Sequence, residues 1–430
     1  MNTRLLFLPV LLVMVLSASA GWATTVMPRT WQELVLEADF IGIVECQTAG
    51  GIVAKYKVIE SWWGPPPGTE LHIRMGVNFW GPQFPIALCE ERYLVTASKS
   101  GSPDRIVTTS GPGGHPLWWR DIPADYTLPF YEGFVRLPLS KGPQPLSSLG
   151  SDEPNVDAYR KAVSPLVEEK RRRAAQPKPA ATTRDQEEPD QGETDLKRAP
   201  TQQELTALRT AMNRETDSEE WGETFRILTV HDPATVAQWL ADWVNPHKEW
   251  WDEIRGYLLA SDFAHFCGKN RAVNMRTLLA AKEPSIRVAG AVYLCFEDEK
   301  EGTARLTELT KLEGDPGVWA ALSLARRGDK SAMPRALRVF QTAAAGGMET
   351  SEHLNLQLRL RVLLSNSAKN SGLPQPSPPS EEQITEVNDD TVAAFQKKTY
   401  DYWVGWWKVN DGKVILADPW LPLLAKRKVD

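Results

Sequence analysis

Residues Glu283 to Phe340 write one amphipathic helical pair twice, and this doubling limits what the 430-residue chain can fold into more than any other stretch. Glu283-Pro284 and Asp315-Pro316 each open a run, and proline at a first helical position wastes no hydrogen bond because that N–H has no intrahelical acceptor. After the first opening, Ile286, Ala289, Val292 and Phe296 recur at three- and four-residue spacing; Val318, Ala321 and Leu324 repeat the pattern after the second. Each first helix is followed by a second apolar run: Ala304, Leu306, Leu309 and Leu312 in one copy, Ala336, Leu337 and Phe340 in the other. Gly328-Asp329 supplies the turn between the paired helices of the second copy. A unit of about thirty residues cannot bury its stripe alone, so the pattern predicts stacked helical pairs, with an ordinary helical bundle as the alternative.

The string DPGVWAALSLARRGDKSAMPRALRVF resembles a HEAT repeat, with its Asp-Pro opening, small-residue first helix, Gly-Asp turn and leucine-rich second helix. The first copy departs from it at Phe296-Glu297, where the turn belongs, and at Glu283, where the family prefers Asp. Trp319 occupies a slot that is often Arg in the family and is Arg287 in the first copy. The resemblance implies an α-solenoid that binds proteins through its concave surface and performs no chemistry of its own.

Other helical runs flank this pair. Thr201-Gln-Gln-Glu204 has the form of a capping box before Leu205, Leu208 and Met212. Asp232-Pro233 opens a helix whose Val236, Trp239, Leu240 and Trp243 share a face. Further runs cover Glu249 to Phe266, Arg271 to Ala281 and His353 to Leu364. After a Pro- and Ser-rich stretch from Ser367 to Ser380, Val392, Phe395, Tyr402, Trp403 and Trp406 align on a last helix expected to dock back as a cap. Its Tyr-Trp-x-x-Trp-Trp ending is similar to the terminal helix after some secreted HEAT arrays.

The first third has a different texture. Met1 to Ala20, with Arg4, an apolar run from Leu5 to Leu16 and small residues before Gly21, fits a secretory signal peptide, with a membrane anchor as the other reading. No later segment is apolar enough to cross a bilayer. Phe40 to Cys46, Ile52 to Ile59, Glu70 to Met75, Arg92 to Ala97 and Arg105 to Thr109 read as five short strands separated by Gly and Pro clusters, as a small barrel or sandwich requires. The phrase ELVLEADFIGIVECQTAGGIVAKYKVIESWWGPPPGTELHIRMG, completed by EERYLVTA, resembles netrin-like or tissue-inhibitor-of-metalloproteinase-like domains, which implies an OB-type barrel. Inhibitors of that family carry a cysteine at the mature N-terminus; here none precedes Cys46, so zinc-directed protease inhibition is not implied.

The formal charge of −6 speaks against a nucleic-acid surface. The basic run Lys170 to Arg173 is flanked by Glu168 and Glu169 and reads as part of an exposed helix from Asp157 to Arg173. Between Ala174 and Pro200 the only large apolar residue is Leu196, so a flexible linker is expected. The fold expected is multidomain, all-β plus all-α, a small OB-like β-barrel followed by a HEAT-like α-solenoid. Its parts are a signal peptide (1–20), the barrel (21–145), a helix and disordered linker (146–200), the solenoid (201–366), a Pro/Ser-rich linker (367–389) and a C-terminal capping helix and tail (390–430).

Chemistry is sparse. The four cysteines are disulfide candidates in an oxidising compartment: Cys46 with Cys89, and Cys267 with Cys295, or else buried free thiols. His265 and Cys267 lack further partners for a metal site, the six histidines form no HExxH, and no Ser stands in a nucleophile elbow. Gly111 to Trp119 reads as a surface loop. Asp252 and Glu253 point apart on a helix, so no catalytic pair, metal or cofactor is expected. Among 17 tryptophans, paired rings leave one member outward, and Trp250, Trp251, Trp319, Trp118 and Trp119 are candidate binding residues. The expected role is an exported protein, periplasmic or extracellular, that binds a protein partner as a scaffold. A carbohydrate-binding protein using exposed Trp is the first alternative. The second is an enzyme of lyase or hydrolase type, since some HEAT-like proteins resemble chromophore lyases; Asp252, Glu253 and His115 would be its first candidates.

Overall fold

The structure is a computed structural model that describes residues 31–50, 53–74, 88–99, 124–127, 134–137, 156–175, 199–212, 219–243, 256, 259–261, 263–264, 267, 270–341, 351–379 and 389–421. It is a mixed molecule, a β portion followed by many helices. The expected signal segment, the strand from Arg105 to Thr109, the Gly111 loop, His115, His265, Asp252, Glu253 and most of the 174–200 linker lie outside the described residues.

A short helix α1 (Trp31–Glu37) leads into β1 (Phe40–Thr48), β2 (Val53–Trp63), β3 (Glu70–Arg74), β4 (Arg92–Lys99), β5 (Tyr126–Thr127) and β6 (Phe134–Leu137). β1 pairs antiparallel with β2 and with β4, β2 with β3, and β4 with β5 and β6, while β3 and β5 run parallel. The pairings β1-β2-β3-β5-β4 therefore return to β1 and close a ring, with β6 attached outside it on β4. The closing strand β5 is two residues long, which is why no run in the sequence announced it.

Alternation sorts each strand between two cores. Phe40, Val44 and Cys46 of β1, Ala54, Tyr56 and Val58 of β2, and Tyr93, Val95 and Ala97 of β4 point into the ring. Ile41, Ile43 and Leu94 point outward, where Val35 and Ala38 meet them together with Tyr159, Val163 and Val167 of α2 (Val156–Ala175). α2 was expected as an exposed helix. Instead it lies on the sheet, and burying three such side chains stabilises the pair by roughly 1.5–3 kcal/mol each. Its other face is the solvated one that the charges foretell: Arg171 pairs with Glu168, and Arg172 and Arg173 with Glu169.

The helical portion runs α3 (Gln202–Met212), α4 (Glu219–His231), α5 (Pro233–Asp242), α6 (Arg271–Leu279), α7 (Pro284–Glu297), α8 (Glu299–Leu309) and α9 (Gly314–Arg326). Successive helices pack on their neighbours, and one apolar core extends from Leu205 to Leu416. The capping box of α3 is formed: Thr201 N–H donates to Glu204 Oε2 (2.7 Å), and Glu204 N–H to Thr201 Oγ1 (3.3 Å). Where the first copy lacks a Gly-Asp turn, Asp298 alone ends α7 and caps α8 by accepting from Glu301 N–H (3.0 Å). α8 then crosses α7 in backbone contact at Gly302, where a Cβ would lie 2.4 Å from Cys295 N.

The second copy differs from expectation in its second helix. Gly328 turns the chain at φ 94°, but Lys330–Ala332 is 3₁₀, only Met333–Ala336 (α10) is α-helical, and Leu337–Phe340 is 3₁₀ again. Pro334 lacks the N–H that a continuous helix would use there. The last helices are α11 (Ser351–Asn370) and α12 (Asp389–Asn410). Trp403 of α12 stacks on Phe340 with centroids 5.5 Å apart, and Trp407 is also buried. The stretch expected as a linker from 367 begins as the last turn of α11. Its following part is tied down: Gln375 Nε2 donates to Ser365 O (3.2 Å), and Ser377 N–H to Tyr402 Oη (2.6 Å).

Candidate functional site: a thiol pair at the joint between sheet and helices

Among the described residues the β portion and the helical part meet through buried polar groups and through one small apolar contact, Trp420 on Val53. Cys46 is on the inward row of β1, and Cys89 sits just before β4, in a bend where Glu90 takes φ 67°. Two backbone bonds, Cys46 N–H to Glu91 O (2.8 Å) and Glu90 N–H to Cys46 O (2.9 Å), hold the bend against β1 and bring the two thiols into one neighbourhood.

The last turns of α11 close over this pair. Asn366 places its amide against the Ala49 peptide: Ala49 N–H donates to Asn366 Oδ1 (2.9 Å), and Asn366 Nδ2 donates to Ala49 O (3.0 Å). That double bond orients the amide, so Oδ1 faces Cys89 Sγ at 3.3 Å and accepts from its thiol. Ser365 Oγ accepts from Cys89 N–H (3.0 Å) and donates to Gln375 Oε1 (2.7 Å). Lys369 donates to Gln47 O (2.5 Å) and Gln47 Oε1 (3.3 Å). From the C-terminal end, Trp420 lays its ring on Val53 and donates Nε1–H to Ala49 O (2.8 Å).

The two thiols are electrostatically unequal. Burial, reinforced by the neighbouring sulfur, pushes Cys46 far above the usual thiol range. Cys89 is drawn below that range, first by the hydrogen bond from Cys46 and further by the Ala49 backbone, Ser365 and the Lys369 charge, against the opposing effect of its own burial. Cys46 thus lies in the interior of the ring, and Cys89 beside it turns its S–H to Asn366 Oδ1 of the helical part, with Gln47 O at 3.8 Å as a second acceptor.

The expected site residues are distributed otherwise. Trp250, Trp251, Trp118 and Trp119 lie outside the described residues. Trp319 is not an outward ring: it is 8% exposed, with the Arg359 guanidinium of α11 5.6 Å from its centroid. α11 packs against α9 on this side, which removes Trp319 as an exposed binding platform. All four cysteines are free thiols, so neither disulfide candidate is formed. Cys267 and Cys295 have different surroundings, Arg271 and Asn274 for the one and Arg327 and Thr303 for the other, and burial raises both. Only Cys46 and Cys89 come together. Among the described residues no three His, Cys, Asp or Glu gather as a metal site, and no helix is long and apolar enough to cross a membrane.

Ser365, Asn366, Lys369 and Trp420 escaped the sequence reading. A run Ser-Asn-Ser at the end of an apolar helix is a signal of sorts, since helix interiors seldom favour it, but it names no partner some 317 residues away. Comparison of the chain with protein families, curated proteins and solved structures gave no match.

Proposed function

We propose that the protein is an exported, non-enzymatic adaptor in which an OB-type barrel is carried on a HEAT-like helical array that binds a protein partner. The observation that carries this reading is the doubled helical pair, α7–α8 followed by α9 and its broken second helix, with each helix packed on the next in chain order. Arrays of this kind present repeated side chains along an extended face. The ring order β1-β2-β3-β5-β4 with a parallel β3–β5 pair supports the OB-type assignment. The basic, apolar and small-residue succession from Met1 to Ala20 supports export to the periplasm or the cell exterior.

With Trp319 covered, the contact face passes to the outer helices. Val273 of α6 is 59% exposed. Arg276 of α6 reaches Glu301 of α8 at 2.6 Å, so the two helices present one face that also bears Arg305 and Glu308.

The test is photo-crosslinking in the exported fraction, using the full chain with a reactive side chain at Val273 or at Arg305. The same protein adduct at both positions, abolished by Arg276→Glu, is the expected result. Absence of any adduct at either position, together with polysaccharide quenching of Trp fluorescence, would transfer the assignment to carbohydrate binding.

A further inference from the structure

We propose that Cys46 and Cys89 are a redox pair whose oxidation to a disulfide loosens the joint between the sheet and α11. This goes beyond the adaptor reading and does not rest on it. The geometry that carries it is the position of Cys89: the bend that holds it is bonded to the Cys46 backbone, its sulfur reaches Asn366 Oδ1 of α11, and its own N–H donates to Ser365. One residue therefore belongs both to a dithiol and to the joint.

The oxidant is a small-molecule disulfide such as oxidised glutathione. Cys89, the more acidic thiol, gives its proton to water, attacks one sulfur of the oxidant as the thiolate and expels one thiolate, leaving a mixed disulfide; that proton is later taken up by the second thiolate released. Cys46 then loses its proton to the expelled thiolate, attacks Cys89 Sγ and releases the second thiolate. Two S–H bonds are lost, one S–S bond is formed, and the oxidant is reduced to two thiols. Cys89 is 1% exposed, so the first attack needs a local opening of the joint.

The consequence for the joint follows from donor arithmetic. In the dithiol, Cys89 S–H adds a second hydrogen bond to Asn366 Oδ1 beside that from Ala49 N–H; the disulfide has no such hydrogen, and bonding distance draws Cys89 Sγ toward β1 and away from α11. The Ser365–Cys89 bond loosens with it. The two Asn366–Ala49 bonds need no sulfur hydrogen and persist.

The experiment uses the full chain, treated with oxidised glutathione or with a phosphine reductant, and reads peptide disulfides and amide hydrogen exchange by mass spectrometry. A Cys46–Cys89 disulfide is expected, with exchange in the peptide containing Cys89 about fivefold faster than in the reduced chain, as loss of a hydrogen bond predicts. The peptide containing Ala49 should be unchanged, and the phosphine should restore slow exchange. Cys46→Ala should retain glutathione on Cys89, whereas Cys89→Ala should carry none on Cys46. The proposal is overturned if no disulfide forms under oxidant in mild denaturant, if it forms without faster exchange at Cys89, or if glutathione is retained on Cys46 instead. Because the wild-type comparison stands alone, a variant that does not fold leaves the test intact.

Discussion

Asn366 shows how much a single side chain can settle. Its amide has one donor group and one acceptor directed at the C=O and N–H of the same residue, Ala49, and its oxygen has room for the Cys89 thiol besides. Asn366→Ala leaves a buried N–H and C=O of Ala49 short of partners, although Trp420 still donates to that carbonyl. Leaving such groups unmade costs about 1–3 kcal/mol each. We expect a loss of about 2 kcal/mol in urea unfolding, with faster exchange of the Ala49 amide. Gly42 is the opposite case, a residue chosen for what it lacks. A Cβ there would lie 2.2 Å from Glu60 O and 3.2 Å from the Phe40 ring, at a point where the β1–β2 register shifts. Gly42→Ala should therefore lower the urea midpoint by more than helix or strand propensity alone would, through displacement of β2 from β1.

At the scale of the element, α2 is attached to the sheet by apolar burial and by a charge clamp. Arg160 holds Glu60 of β2 through Nε to Oε1 (2.9 Å) and Nη2 to Oε2 (2.8 Å), and its guanidinium lies over Trp62. The Arg160 hydrogen bonds keep the Glu60 carboxyl below its usual range. A depressed carboxylate contributes stability that is present above its unfolded pKa and is lost as pH falls through the lower folded value. The stability of the β portion should thus decline in acid below about pH 4, and Glu60→Gln should flatten that decline; unfolding midpoints across pH 3 to 6 measure both. The tail after α12 is held by a stronger contact, Arg326 to Asp418 at 2.5 Å, with the Asp side chain only 8% exposed. Asp418→Ala strands a half-buried guanidinium and should cost about 3 kcal/mol, since removing one partner of a buried pair is far costlier than the pair's net worth. Release of Trp420 from Ala49, read as rising Trp solvent exposure, is the accompanying signature.

At the scale of the molecule, the helices are held as one body by the return of α12. Trp403 stacks on Phe340 and touches Tyr402 and Trp406, so the last helix completes the core that begins at Leu205. Trp403→Ala should destabilise the helical part by about 3–5 kcal/mol and lower its thermal midpoint, while leaving strand signals in place. The docking of this helix was legible because its apolar residues recur at helical spacing over several turns. So were α7, α9, the capping box at Thr201 and four of the strands, since each is encoded by neighbours within a dozen residues and by the burial that their spacing demands. The length of β5, the break of α10 at Pro334, the covering of Trp319 by α11 and the joint at Asn366 were decided only in three dimensions. There the partner lies far along the chain, and a short polar side chain carries no mark of which backbone it will meet. Local periodicity dictates which face of each element must be hidden; the tertiary structure chooses what hides it, and so brings one cysteine pair together at the joint while leaving the other two thiols in separate surroundings.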